Sequence, residues 1–520
     1  MEVENIVIAK LNKDNAQSSW KLRLVVGREE GNPAEMIDSD EEIQKEVRGR
    51  AKWIAEIEER LGGVNEAEDS CIYKVPSKLR RVKQDAYNPR VVSIGPFHRG
   101  DPDLVAGMRK HKWRYMLSFL QQTDDPYESR SCLKNCTEAI YNLDMKVRQC
   151  YAENVEYDKN NLAQIMLLDG CFILELFLRY YAKNAGEKSK PDPVFKSSWM
   201  VTALQHDLAL LENQIPFFIL ELLYEVVRPF VVSRKPPHSV AGLALMFFQP
   251  LSRKSIPKED QDKLGADFKH LLDLLHKFYF LPVPHDNEVS IKLNFNMELS
   301  SNSNIKEEEP LCNLFFRKMR RKMQTFSFLP ELADPDSKNK WGFNCSATQL
   351  LESGIRFKVG SSEDQLLNIT FSNGVIRFPP LVMDDSASSV LRNLIAFEQC
   401  SLSNMHGVTS YAFLIKSLIP SSADIKRLRQ YGIIQHNWIG DQENFSQFEG
   451  IVDGVVMKDF YIDRLCAEVN AYTSRYWFRR YIKYLYRTYF SSAWSKIVFI
   501  ASILAFILTS LQTYFTIYPR

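Results

Sequence analysis

The sequence predicts a mainly α protein, a multi-helix bundle with a small β-hairpin element and one C-terminal transmembrane helix. Three observations carry that expectation. Residues 161–182, "NLAQIMLLDGCFILELFLRYYA", are apolar on almost every side of a helix, which suits the middle of a bundle. Near residue 370 the apolar pattern changes from helical spacing to alternation around "SNG", where Asn373-Gly374 supplies the positive φ angles of a tight turn. From Ile497 to Pro519 there is no charged residue. About 20 residues rising about 1.5 Å each cover a hydrocarbon layer roughly 30 Å thick.

Taken in order, residues 1–38 form an irregular lead-in with no apolar core of a cleaved signal peptide. A helical N-terminal part of the main domain covers 39–282. Its first helix opens on a capping box, Ser39 with Glu42, repeats Ile43, Val47, Ala51, Ile54, Ile57 and Leu61 at helical spacing, and stops at Gly62-Gly63. Residues 71–104 are rich in Pro and Gly and are expected to be extended or looped. Helices follow over 108–122, 161–182, 200–227 and 268–280, the third kinked at Pro216. Asp169, Glu175 and Arg179 argue against a membrane span at 161–182.

Residues 283–340 read as a charged insertion or linker, from "SSNSNIKEEEP" to "RKMRRKM" at Arg317–Met323. That basic run reads as a solvated face rather than a nucleic-acid or lipid site. An α+β C-terminal part of the main domain covers 341–470. It holds one helical turn at "ATQLLE", the hairpin, and helices over 389–400, 410–419 and 422–434. A basic-aromatic juxtamembrane segment, 471–494, leads into the transmembrane helix, 495–518.

Composition narrows the function less than the architecture. The chain has 520 residues, 45% of them hydrophobic, and a net charge of +2, so no global field favours nucleic acid. Nine scattered cysteines read as free thiols rather than a disulfide framework or a zinc site. Arg475, Arg479, Arg480, Lys483, Arg487 and Lys496 precede the apolar run, interleaved with Tyr and Trp, and only Arg520 follows it. That asymmetry predicts a cytosolic large domain on a single-pass anchor, at the plasma membrane or an endomembrane. Four N-glycosylation sequons, at Asn135, Asn344, Asn368 and Asn444, would matter only if that domain were luminal.

The candidate chemistry is sparse. In "GPFHRG", His98 is a possible acid or base and Arg99 an anion holder, but Gly95, Pro96 and Gly100 equally describe a structural turn. His111 sits among cations that disfavour its protonation. Asp169, Glu175, Asp207 and Glu212 are acids in apolar helices, and each needs a hydrogen bond, a cation or a raised pKa. Paired-carboxylate chemistry or metal binding is the functional reading. Buried polar links, with Glu212, Asn213 and Gln214 serving the carbonyls freed at Pro216, are the favoured one. Arg392, Asn393 and Glu398 are candidate partners for these acids. No phosphate-binding loop, nucleophile elbow or metal-ligand spacing is present, so no cofactor or metal is expected.

The blocks "VVSIGPFHRG", "HKWRYM", "LLDGCFILELF", "DLALLENQIPFFIL", "ATQLLESGIRF" and "RNLIAFEQC" occur in that order, ahead of the apolar tail. Together they resemble the plant domain-of-unknown-function 247 family (DUF247, UPF0481-like), from about Cys71 to the C-terminus. The resemblance implies a largely helical fold, one C-terminal membrane segment and no established enzymatic activity. Some members of that family are tied to reproductive recognition and self-incompatibility, so it also implies a recognition or signalling role. It supplies no catalytic residues. The sequence therefore predicts an interaction protein working through an unidentified protein partner at a membrane. A membrane-bound, hydrolase-like enzyme using buried carboxylates and His is the alternative, and a luminal receptor-like domain a third.

Overall fold

The computed structural model describes residues 10–12, 21–23, 45, 47–58, 70–121, 125–186, 192–230, 239–252, 268–280, 341–361, 366–383, 385–401, 406–436, 448–475 and 493–517. The chain divides into two compact units, Met1–Glu68 and Asp69–Arg520. The first holds an antiparallel strand pair, β1 (Lys10–Asn12) and β2 (Lys21–Arg23), and helix α1 over 47–58. The capping box and the Gly62-Gly63 stop expected for α1 lie outside the described residues.

In the second unit the chain runs α2 (Ser77–Val82), a 3-10 turn (Gln84–Tyr87), α3 (Pro102–Leu120), α4 (Pro126–Asn142), α5 (Asp144–Gln149) and α6 (Lys159–Asn184). It continues through α7 (Pro193–Lys196), α8 (Ser198–Leu208), α9 (Phe217–Val227), α10 (Val240–Ser252) and α11 (Leu271–Phe280). Helix α6 is the axis, as its all-round apolarity demands: residues 165–178 are buried without a break. Helices α3, α4, α9 and α10 pack around it. Asp158 caps α6, its side chain accepting the Asn161 N–H.

One expected helix is two. Residues 200–227 do not form a helix kinked at Pro216; α8 ends at Leu208, residues 209–216 form an irregular turn, and α9 starts after Pro216. Asn213 and Gln214 support the break, because their side-chain amides donate to the Asp207, Leu208 and Leu210 carbonyls in place of helical N–H groups. Helices α4 and α10 were not expected from the sequence. The 283–340 insertion lies outside the described residues.

The remainder of the unit holds α12 (Ala347–Glu352), β3 (Arg356–Val359), β4 (Thr370–Ser372), β5 (Val375–Phe378), β6 (Leu381–Met383), α13 (Asp385–Cys400), α14 (Gly407–Leu418), α15 (Ser422–Gln430), β7 (Ile434–His436) and α16 (Asp463–Arg475). The hairpin forms as expected: β4 pairs antiparallel with β5 across Asn373 (φ 50°) and Gly374 (φ 72°). A parallel strand, β3, completes a three-stranded sheet on β5, and β6 pairs in parallel with β7. Helix α13 packs on α8 and the 3-10 turn, which joins the two halves of the unit in one apolar core.

The C-terminal helix α17 (Ala493–Ile517) covers the expected apolar run, and none of Ile497–Tyr514 is buried. It is long and apolar enough to cross a membrane. Ser502, Thr509, Ser510, Thr513 and Thr516 donate their hydroxyls to carbonyls four residues back. These five hydroxyls are therefore satisfied within the helix. Helix α6 is also long and apolar enough to cross a membrane but is mostly buried, which marks it as a core element.

Candidate functional site

Residues 70–101 contain little regular structure, so their backbone amides need partners from elsewhere. The acids and amides singled out in the sequence supply them. Asp207, at the end of α8, accepts the N–H groups of Arg90 (2.8 Å), Val91 (2.7 Å) and Val92 (2.9 Å), and faces His206 Nδ1 at 2.9 Å. Asn213 accepts the Ile94 N–H at 2.6 Å and donates to the Val92 and Asp207 carbonyls. Gln214 donates to the Leu208 carbonyl at the end of α8 and to the Leu210 carbonyl in the turn beyond it.

Asp169, fully buried on α6, accepts the Gly95 N–H at 2.9 Å and the ammonium of Lys112. That ammonium also donates to the Ser93 carbonyl, while Arg99 stands 3.8 Å from Asp169 in a looser pair. Burial pulls Lys112 below the ordinary lysine range, against the opposing attraction of Asp169.

Glu212 accepts the Val75 N–H at 2.7 Å and pairs with Arg80 at 2.6 Å. His98 Nε2 lies 3.2 Å from its other oxygen, an ion-pair separation without hydrogen-bond alignment. Burial pushes the Glu212 carboxyl up, but His98, Val75 and Arg80 together outweigh it and hold it below the usual carboxylate range. Glu175 accepts from Ser118 and Arg179, both at 2.7 Å.

The structure thus gathers Asp169, Asp207, Glu212, His98 and Arg99 along one stretch of chain. His111 stands apart, beside Arg114 at 3.0 Å, with its pKa lowered by burial and then by that cation. Asn393 reaches the Leu211 N–H at 2.9 Å and donates to the Ala86 and Ser389 carbonyls. Arg392 donates to the Glu449 and Gly450 carbonyls. Glu398 is not a partner of the other acids. It caps α14 through the Val408 and Thr409 N–H groups and meets His276 at 2.8 Å.

Sequence reasoning missed Lys112, although a signal existed. Met108, Lys112, Tyr115 and Phe119 make one buried stripe of α3, and a lysine in such a stripe requires an acid opposite. Chemically, each acid serves as a fixed acceptor for backbone donors or cations. Among the described residues, no three His, Cys, Asp or Glu side chains gather as a metal site. Of the membrane-flank cations, Arg475 ends α16 in an exposed position and Lys496 falls within α17. Arg479, Arg480, Lys483 and Arg487 lie outside the described residues.

A bundle built on α6, with an irregular segment pinned by acids from α6 and α8, is the architecture over which a family model matches. The match to DUF247, described as plant protein of unknown function, covers residues 72–508, and the chain belongs to that family. It is 28% identical over 457 residues to a UPF0481 protein of Arabidopsis thaliana, covering 86% of each chain. It is 24% identical over 524 residues to a second UPF0481 protein of that plant, covering 89% of this chain and 94% of the relative. No solved structure matches.

Proposed function

We propose that the protein is a tail-anchored interaction component, with α17 in a bilayer, the large unit in the cytosol and activity exerted through contacts with a protein partner in recognition or signalling. The observation that carries this reading is α17. An apolar helix with no buried residue from Ile497 to Tyr514 loses free energy in water at every exposed side chain, and a hydrocarbon layer removes that penalty. The cations preceding it favour the cytosolic side. Anchoring also raises the effective concentration of the large unit for partners on the same surface.

The approach of His98 to Glu212 favours the enzymatic alternative, since it joins a His and a carboxylate. Against it, one oxygen of Glu212 is already taken by Val75 and Arg80, and the lowered pKa is the opposite of what a general acid needs. Proximity labelling in intact cells, comparing the full chain with a truncation before Ser492, tests the proposal. The expected result is a membrane-surface neighbour set that disappears on truncation. Identical neighbours for both forms would overturn it.

A further inference from the structure

A cleft of about 280 Å³ opens between α3 and α6 beside the pinned segment, lined by Ser93, Arg99, Arg109, Lys112, Trp113 and Gln164, with Leu104 and Leu168 as apolar walls. Arg109, Lys112 and Trp113 share one face of α3 through their spacing of three and four, and Gln164 and Leu168 share one face of α6. Arg99 comes from the preceding turn.

Three features of the lining are unspent. Arg109 is exposed and has no hydrogen bond or ion pair to a described residue. Among the described residues, Arg99 holds only the 3.8 Å pair with Asp169, whose oxygens already accept Gly95 N–H and the Lys112 ammonium. Ser93 is 3% exposed, yet its hydroxyl has no hydrogen-bond partner among the described residues. A buried hydroxyl left unmatched on a cleft wall marks a place where a ligand atom or water completes the bonding. The Lys112–Asp169 pair cancels in charge wherever its shared proton sits. Among the described residues, Arg99, Arg109 and Lys112 thus face the single carboxylate of Asp169, a net surplus of two positive charges around the opening.

We propose that this cleft binds a phosphate monoester, its oxygens taken by the Arg99 and Arg109 guanidiniums and the Ser93 hydroxyl, and its organic portion laid against Trp113 and Leu168. Two surplus positive charges match the charge of −1.5 to −2 that a phosphate monoester carries near pH 7. Guanidinium forks suit the paired oxygens of phosphate. Donors arriving from two well-separated points of the irregular segment, Ser93 and Arg99, and from α3 fit a tetrahedral group better than a planar carboxylate. The shared chemistry admits two sources, a soluble phosphomonoester or a phosphorylated lipid headgroup. The site does not depend on the anchor proposal.

The test is calorimetric titration of the purified full chain in mild detergent with phenyl phosphate, benzoate and a short-chain phosphatidylinositol monophosphate. The expected result is saturable binding of phenyl phosphate, at least tenfold tighter than benzoate. Arg109→Ala is expected to weaken it at least tenfold and Ser93→Ala several-fold, while Lys416→Ala leaves it unchanged. Arg109 is on the surface, so its substitution spares folding. Tighter binding of the lipid than of phenyl phosphate assigns the headgroup as the source, and the reverse order assigns a soluble ester; both support the site. Absence of binding by either phosphate, equal affinity for benzoate, or indifference to Arg109→Ala overturns the proposal.

Discussion

Asp207 Oδ2 accepts the Val92 N–H at 2.9 Å, tying the end of α8 to backbone 115 positions earlier. The same carboxylate also holds the N–H groups of Arg90 and Val91. It therefore replaces, for a segment without a β partner, the row of acceptors that a neighbouring strand would provide.

Removing that acceptor strands several amides at once. Asp207→Ala should destabilise the large unit by about 1–3 kcal/mol, the cost of leaving the buried Val92 N–H unmatched, with a smaller addition from the part-buried Arg90 and Val91 donors. Asp207→Asn keeps one acceptor oxygen and should lose less. Urea unfolding of the full chain in detergent measures both. A loss below about 1 kcal/mol for the alanine variant would show that water replaces the carboxylate.

Gly95 fixes the turn at which this segment meets Asp169. Its φ is +70°, and a Cβ there would stand 2.4 Å from the Gln214 carbonyl oxygen, a backbone atom held by Tyr151. The left-handed conformation alone costs a non-glycine residue roughly 1–2 kcal/mol. Gly95→Ala should exceed that by the clash. Gly100→Ala, with nothing within 4 Å of its added methyl, should be close to neutral. Comparable melting shifts for the two variants would contradict this account of the turn.

Acid sensitivity should appear in two windows. Buried His270 is pushed down from 6.5 to about 4, chiefly by burial, with Lys269 and Lys277 adding to the shift and Asp273 opposing it. The unfolded chain protonates this imidazole first, so stability falls as pH drops from about 6.5 to about 4, and is unaffected above that range. The integrated loss is about 3 kcal/mol, at roughly 1.4 kcal/mol per pH unit. Glu212 has the opposite chemistry and a depressed pKa, so its contribution is present above its ordinary 4.5 and is lost as pH falls below it. His270→Gln should flatten the upper window only. An unchanged slope between pH 6.5 and 4 in that variant would remove His270 as the cause.

Glu398 offers a separate check on the second half of the unit. Its carboxylate accepts the first free N–H groups of α14 and the Thr409 hydroxyl, and it meets His276. Glu398→Ala should destabilise by about 2 kcal/mol or more, since it leaves the buried Val408 and Thr409 N–H groups unmatched at roughly 1–3 kcal/mol each. Glu398→Gln should retain part of the cap. Hydrogen exchange localises the effect, and protection in α14 equal to wild type would contradict the capping role.

The sequence made some of this legible for simple reasons. Helix α6 was visible because its length and unbroken apolarity allow few other placements, and the hairpin because Asn373-Gly374 encodes its own turn. Helix α4 was less visible: Cys132, Cys136 and Ile140 form a thin buried stripe in an otherwise polar segment. The pairing of β3 with β5 and of β6 with β7 is parallel and non-local, and no local pattern encodes it. The buried acids announced themselves by their apolar neighbours. Their partners did not, because the groups that meet Asp207 and Asn213 are backbone amides, which every residue type but proline carries.

The central claim is that α17 partitions into lipid and holds the large unit at a membrane. Alkaline carbonate washing of membranes from cells expressing the full chain, beside the chain truncated before Ser492, tests it most directly. The account predicts that the full chain stays with the pellet and the truncated chain is released. Release of both into the wash would contradict it.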